Sequence, residues 1–227
     1  MNTKPLFLSV LLSLASIGAG PVGNAPSGDA DWPRWRGPYE TGMARGDAPT
    51  TWSDTKNIKW KVPIPGRGHS SPVLWGDQIF ITTAVPIGAE PEAGKPASAA
   101  SDGTRRGGAA GGAGPMVDHK FDLISIDRRT GKILWERTAK VAKPHEGYHR
   151  LYGSFASNSP VTDGKHVIAY FGSRGIFCYD LKGKLIWEKD LGIRMTMRLG
   201  FGEGTAPVLH ENALILNIDH EGDDVMV

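Results

Sequence analysis

The sequence has almost no cysteine, almost no net charge and no motif of a common catalytic class. Its 227 residues include one cysteine, Cys178, so no internal disulfide can form, and we interpret that thiol as a small buried apolar group. Lys and Arg number 26 against 24 Asp and Glu, and this net charge of +2 argues against a nucleic-acid partner. We find no helical stretch after the first 20 residues, no Ser/His/Asp nucleophile motif and no dinucleotide-binding fingerprint.

The N-terminus has the pattern of an export signal. Lys4 precedes an apolar run over residues 6–17, which is too short to span a bilayer, and small residues follow it. We therefore predict a signal peptide over residues 1–20, a leader with an N-terminal arm over 21–56, and a periplasmic or secreted location. The mature chain is predicted to have no transmembrane segment.

The arm contains an unusual run, residues 31–38, with two tryptophans and two prolines. This composition predicts an ordered segment that packs on a surface of the protein, and not a helix. Residues 57–62 alternate around Trp60 and predict a strand.

One phrase occurs twice, over residues 123–136 and 175–188. Each copy has an apolar strand, an Asp, a short turn, Gly-Lys, an apolar pair and Trp-Glu. Trp135 and Trp187, at corresponding places, are 52 positions apart. A hairpin repeated at that distance predicts a modular all-β array.

A second phrase occurs three times, opening at Pro72, Pro160 and Pro207. In each copy a strand follows the proline, a short polar turn comes next, and apolar residues resume, so we predict three hairpins. The prolines are 88 and then 47 positions apart. Residues 86–118, rich in Ala, Gly, Pro and Ser, account for the difference, and we interpret them as a disordered insert.

The two phrases together predict a four-stranded unit. One such sheet cannot bury both faces alone, whereas radial stacking buries them and leaves short edges. We therefore predict an all-β fold, a β-propeller of four-stranded blades, over residues 57–227.

The pattern Asp127-x-x-Thr130-Gly131-Lys132-x-x-Trp135 resembles the tryptophan-docking repeat of the pyrroloquinoline-quinone-type (PQQ-like) β-propellers. That family includes quinoprotein dehydrogenases and the non-enzymatic propeller of the outer-membrane assembly machinery. The run at 31–38, with residues 66–72, is similar to exported bacterial proteins with PQQ-like repeats.

The resemblance implies structural roles for several residues. Trp60, Trp135 and Trp187 would lie between adjacent blades, with each indole N–H on a carbonyl, and Gly131 and Gly183 would permit the tight turns. Family rings have seven or eight blades, whereas this chain holds two full units, so we expect an incomplete arc whose remaining blades belong to a longer chain.

The same resemblance leaves catalysis open. Quinoprotein enzymes hold PQQ and Ca²⁺ and carry a vicinal cysteine pair, which a single cysteine cannot supply. A PQQ- and Ca²⁺-dependent alcohol or sugar dehydrogenase is therefore the alternative to a non-catalytic binding or scaffold module with protein partners.

Two local motifs suggest metals. His145, Glu146 and His149 match the zinc-hydrolase pattern H-E-x-x-H, which works only when a helix puts both imidazoles on one face. Pro144 and Gly147 argue against a helix, so a zinc hydrolase is a distant alternative.

Asp219, Glu221 and Asp223 form an acidic loop that could supply oxygen ligands to Ca²⁺. An exposed polar turn is the simpler interpretation.

Overall fold

The computed structural model describes residues 30–88, 114–149, 152–197 and 200–227. These contain twelve strands and one 3₁₀ turn, Gly172–Arg174, which confirms the all-β prediction. The predicted signal peptide, the start of the leader and residues 89–113 of the predicted insert lie outside the described residues. Within the described ranges, no helix has the length and apolarity needed to cross a membrane.

The first sheet is a four-stranded antiparallel meander. Its strands are β1 (Val73–Trp75), β2 (Gln78–Pro86), β3 (His119–Asp127) and β4 (Ile133–Ala142), in that order. Pro72 precedes β1, where no ladder donor is needed. The ladder between β2 and β3 extends to Pro86, which pairs with His119. The first residue of the predicted insert is therefore part of the sheet.

The second sheet repeats this order. It contains β5 (Val161–Thr162), β6 (His166–Tyr170), β7 (Ile176–Asp180) and β8 (Leu185–Lys189). Two further antiparallel pairs follow, β9 (Val208–His210) with β10 (Ala213–Ile215), and β11 (Asn217–Ile218) with β12 (Val225–Met226). The three predicted hairpins and the four-stranded unit are thus confirmed.

Both faces of the central strands of the second sheet, β6 and β7, are buried. Along β6, Val167 and Ala169 join an apolar core shared with Phe80 and Phe121 of the first sheet. The alternate residues of β6 join a second core that includes Leu216 and Ile218, beyond β10. Strand side chains alternate between faces, so a sheet between two neighbours needs apolar residues at every position of its central strands.

The β3–β4 turn and the β7–β8 turn are built in the same way, each around an aspartate and a glycine. The Asp127 carboxylate accepts hydrogen bonds from the backbone N–H and the hydroxyl of Thr130, at 2.6 and 2.7 Å, and these bonds lower the pKa of Asp127. Asp180 accepts backbone N–H groups in the second turn. Gly131 and Gly183 have φ values of +75° and +82°, a region that favours glycine.

The antiparallel order places the connections at two ends of the sheets. We name the end that carries the β1–β2, β3–β4, β5–β6 and β7–β8 turns the turn rim. We name the opposite end, which carries the β4–β5, β6–β7, β8–β9 and β11–β12 connections, the loop rim.

Residues 32–34 of the N-terminal arm contact three sheets. Trp32 exchanges backbone hydrogen bonds with Leu74 of β1, at 2.9 and 2.8 Å. Pro33 O accepts from Thr162 N of β5 at 2.9 Å, and an Arg34 N–H reaches the Leu209 carbonyl of β9 at 3.4 Å. The arm therefore ties together the β1, β5 and β9 edges, which are the first strands of consecutive units.

The strand predicted around Trp60 was wrong. Residues 57–62 form no strand, because they join no backbone ladder in the part of the chain that the structure describes. Trp60 is positioned by its side chain instead. Its indole N–H donates to Arg128 O at 3.0 Å, and its ring lies against Gly131.

Candidate functional site

Three connections of the loop rim meet at one carboxylate, that of Glu203 in the β8–β9 connection. Its Oε1 accepts hydrogen bonds from Arg174 Nη1 and Ser173 Oγ, both at 2.8 Å. Its Oε2 accepts the backbone N–H of Ser173 at 2.7 Å. Arg174 and Glu203 are each only 8% exposed, so this is a buried ion pair with added hydrogen bonds.

Glycine makes this contact possible. Gly172 has φ +60°, and a Cβ there would collide with Oε2 of Glu203. The carboxylate therefore lies directly on the backbone of the 3₁₀ turn. Burial, together with the nearby Glu203 charge, also raises the pKa of the Tyr170 hydroxyl well above its usual range.

His145, in the β4–β5 connection, completes the link between the three connections. Its Nε2 lies 2.6 Å from Met195 O, and a carbonyl can only accept, so we assign the ring proton to Nε2. Nδ1 then carries the lone pair and faces Arg174 Nη2 at 3.4 Å. Nε2 is also 3.8 Å from Glu203 Oε1.

Glu146 lies beside this group with one satisfied and one unsatisfied oxygen. Oε2 accepts the backbone N–H of Met197 at 3.1 Å. Oε1 is buried and has no hydrogen-bond partner. The side chain lines a small pocket whose wall also includes Phe155, Arg174 and Glu203.

Residues 195–197 connect this site to the acidic loop before β12. Thr196 N donates to His220 Nδ1 at 3.3 Å, and Thr196 O accepts Glu221 N at 2.9 Å. Met195 and Met197 meanwhile contact His145 and Glu146 through their backbones. Two motifs that the sequence suggested separately therefore lie on the same rim.

The zinc-hydrolase arrangement is not formed. The segment that holds His145, Glu146 and His149 is not helical, so the two imidazoles do not share a face. The His149 ring instead stacks with Tyr152 and Phe201, at centroid distances of 4.8 and 5.6 Å. Glu203, and not His149, lies with His145 and Glu146.

The predicted Ca²⁺ ligands are not brought together. Asp219, Glu221 and Asp223 are exposed, and in the described ranges the one group of three or more His, Cys, Asp or Glu with converging atoms lies elsewhere. A nearby imidazole and backbone groups organise the loop, since His220 Nδ1 accepts the Gly222 N–H at 3.0 Å. The acidic loop is an exposed turn.

Two of the three tryptophans, Trp60 and Trp135, contact the turn of a neighbouring unit, whereas Trp187 does not in the described ranges. Trp135 in β4 donates its indole N–H to Leu181 O of the second sheet at 3.0 Å, and its ring lies against Gly183. Trp60 has the same relationship to Arg128 and Gly131. Trp187 in β8 is 41% exposed, and its indole N–H has no carbonyl partner within the described part of the chain.

Several site residues escaped the sequence analysis. Glu203 lies in a Gly-rich connection and belongs to no motif, and Arg174 belongs to none either. Asp122 in β3 is fully buried, with both carboxyl oxygens lacking a hydrogen bond, and burial raises its pKa. The available signal for Asp122 is a charged residue between the apolar residues Phe121 and Leu123 of β3. No comparable signal marks Arg174.

These features define a class: all-β proteins of the propeller type, built from stacked four-stranded sheets with loops gathered at one rim. Residues 119–224, from β3 to the turn before β12, match a PQQ-repeat family model described as outer membrane protein assembly factor BamB. That segment is therefore similar to the PQQ-like repeat family. No curated protein matches it.

The resemblance to quinoprotein enzymes implies PQQ and Ca²⁺, and among the described residues the candidate ligands do not fit that pair. The acidic loop does not converge, and the buried cation at the loop rim, Arg174, is already paired with Glu203. We therefore derive no chemical step through either group.

Proposed function

We propose that this chain is an exported, non-catalytic binding or scaffold module whose loop rim contacts a protein partner. The observation that carries this proposal is the meeting of three connections at Glu203. Loops placed on a rigid scaffold are where proteins most often bind their ligands. The buried ion pair Arg174–Glu203 supplies that rigidity here.

Exposed aromatic rings next to this network supply a contact surface. Tyr152 is 77% exposed and Phe201 is 55% exposed, and both stack on His149. Aromatic rings provide large contact areas at low conformational cost, and they are enriched at protein interfaces. The hydrogen bonds of Glu203 to Ser173 and Arg174 fix the β8–β9 connection two residues from Phe201. We therefore propose that they restrict the position of the Phe201 ring.

The partner contact can be tested by changing these rings. The double variant Tyr152→Ser, Phe201→Ser should lose the complexes that the wild-type chain forms in periplasmic extract, measured by native mass spectrometry after affinity capture. Trp52→Ser is the matched control, since Trp52 is an exposed aromatic residue of the N-terminal segment. Equal capture by the wild type and the double variant would contradict the proposal.

Export is the second part of the proposed function, and it can be tested separately from partner binding. The matched family model is described as an outer membrane protein assembly factor, and residues 1–20 have the signal pattern. Fusing residues 1–30 to alkaline phosphatase should give activity in a bacterial host, whereas replacing Leu11 and Leu12 by Asp should abolish it. An inactive unmodified fusion would contradict export.

A further inference from the structure

We propose that part of the turn rim binds the surface of a membrane that contains anionic phospholipids. The contact is made by three segments, residues 56–61, 128–134 and 182–186, which we name the basic surface. This proposal goes beyond the proposed function, because it concerns the end of the sheets opposite the loop rim. The contact is peripheral, so it needs no transmembrane segment.

Contacts between neighbouring units hold the three segments next to one another. The indole N–H of Trp60, in the first segment, donates to Arg128 O in the second segment at 3.0 Å. Arg137 Nε, in β4 just beyond the second segment, donates to Gly183 O in the third segment at 2.7 Å. The three segments therefore form one continuous surface at the turn rim of the first and second sheets.

The basic surface concentrates positive charge. Its segments contain three, three and two Lys or Arg residues and no Asp or Glu, although the whole chain has a net charge of only +2. Seven of these eight cations are exposed, and they are Lys56, Lys59, Lys61, Arg129, Lys132, Lys182 and Lys184. A dense group of exposed cations without interspersed carboxylates attracts an anionic surface.

The carboxylates that flank the three segments along the chain do not cancel this charge. Asp127 and Asp180 accept hydrogen bonds within their own turns. Asp54 pairs with one lysine of the surface at 2.7 Å, but both side chains are well exposed, and such a pair contributes little in water. Glu136 and Glu188 follow the segments in β4 and β8. The eight cations outnumber these five carboxylates.

Exposed apolar side chains lie among the cations, and the repeat places them equivalently in both sheets. Ile133 and Leu134 follow Gly-Lys at the start of β4 and are 41% and 49% exposed. Leu185 and Ile186 follow the same dipeptide at the start of β8 and are 44% and 48% exposed. Cations mixed with exposed Leu and Ile suit the bilayer interface, where the cations meet headgroups and the apolar groups enter the acyl boundary.

Charge complementarity selects anionic lipid as the occupant of this surface. A lysine close to an anionic bilayer strengthens binding about fivefold, and the attraction falls off within a Debye length of about 8–10 Å. The β11–β12 connection on the loop rim carries the opposite sign, with four acidic residues at 219, 221, 223 and 224. This asymmetry would hold the turn rim against the membrane and direct the loop rim away from it.

The experiment is a vesicle-binding titration of the full chain, measured by cosedimentation. Vesicles of phosphatidylcholine alone are compared with vesicles of equal parts phosphatidylcholine and phosphatidylglycerol. We expect at least about tenfold tighter binding to the anionic vesicles at low salt, and a loss of this difference as NaCl is raised. The comparison of two lipid compositions removes the apolar contribution of residues 1–20, which is common to both.

A triple variant tests the basic surface itself. Lys132→Gln, Lys182→Gln, Lys184→Gln removes three exposed lysines from the second and third segments. Binding to the anionic vesicles should weaken by at least about tenfold, because three cations are lost from the membrane contact. The urea midpoint should equal that of the wild type, since exposed surface substitutions change stability little.

A matched triple variant removes the same charge from the other ends of the same two strands. Lys140→Gln, Lys143→Gln, Lys189→Gln replaces three exposed lysines at the loop-rim ends of β4 and β8. These positions lie beyond the reach of a membrane on the turn rim, so binding to the anionic vesicles should weaken by less than about threefold.

Equal binding of the wild type to the two kinds of vesicle would overturn the proposal. So would wild-type binding by the turn-rim variant, or an equal loss in the two triple variants, which would indicate a general effect of net charge. The double variant Tyr152→Ser, Phe201→Ser should still bind the anionic vesicles, and the turn-rim variant should still capture the protein partner. Failure of this proposal is therefore distinguishable from failure of the proposed function.

Discussion

The indole N–H of Trp135 donates to the Leu181 carbonyl of the following sheet at 3.0 Å, and the ring lies against Gly183. Trp60 stands in the same relationship to Arg128 and Gly131. A tryptophan of one unit thus meets the glycine turn of the next. The junction depends on a hydrogen bond and on the missing Cβ of that glycine.

Adding a methyl group to that turn should destabilise the junction. In Gly183→Ala a new Cβ would lie 2.8 Å from Trp135 Cδ2, in addition to the strain of φ +82°. In Gly192→Ala the strain at φ +69° is similar, but nothing lies within 4 Å. We expect about 1–2 kcal/mol of lost stability for Gly192→Ala and a further 1–3 kcal/mol for Gly183→Ala, measured by urea denaturation. Equal losses would show that the ring does not contact the turn.

Removing the charge of Glu203 should be strongly destabilising. Glu203→Gln leaves the Arg174 guanidinium buried without its counter-ion, so we expect a loss of about 3–5 kcal/mol by urea denaturation. Glu188→Gln, in exposed β8, is the control and should change stability by less than about 0.5 kcal/mol. The double variant Glu203→Gln, Arg174→Met should recover part of the loss. If the double variant is as unstable as Glu203→Gln, the Arg174–Glu203 ion pair does not hold the β6–β7 and β8–β9 connections together.

His119 should make the fold sensitive to mild acid. Its ring is 2% exposed, and burial lowers its pKa below the usual value near 6.5. The unfolded chain then binds the proton more readily, so stability is lost as pH falls below about 6.5. Urea midpoints at pH 7 and pH 5 should differ less in His119→Gln than in the wild type. His210→Gln, at an exposed position, controls for removing an imidazole.

Asp122 should have the opposite pH dependence. Burial raises its pKa, and the nearby Glu136 charge adds to the rise. The folded state binds the proton more readily, so this contribution to stability decreases as pH rises above the unfolded value near 3.8. Asp122→Asn should stabilise the protein at pH 7, on the order of 1 kcal/mol, and less at pH 5. A destabilised Asn variant at pH 7 would show that the carboxylate has a partner.

The repeated unit could be predicted because its signals are local. Pro72 and Pro160 open strands, and Gly131 and Gly183 occupy turns that need positive φ, so each hairpin is specified within about ten residues. The alternation around Trp60 predicts a strand, but alternation alone does not make one. A strand also needs a neighbour, and here the indole contact with Gly131 positions the residue instead.

The loop-rim site could not be predicted in the same way. Arg174 and Glu203 are 29 positions apart in two separate connections, and only the stacking of the sheets brings them together. The pattern around His145 and His149 indicates zinc only on a helix, and Gly147 lies at its centre. Glu203, and not His149, lies beside His145 and Glu146.

Site-specific photo-crosslinking in the periplasm tests the central claim, that the loop rim contacts the partner, most directly. A photoreactive amino acid would replace Tyr152 on the loop rim or Lys182 in the β7–β8 turn of the turn rim, both on the surface of the chain. The account predicts a discrete adduct from position 152 and none from position 182. Adducts from position 182 alone, or from neither position, would contradict it.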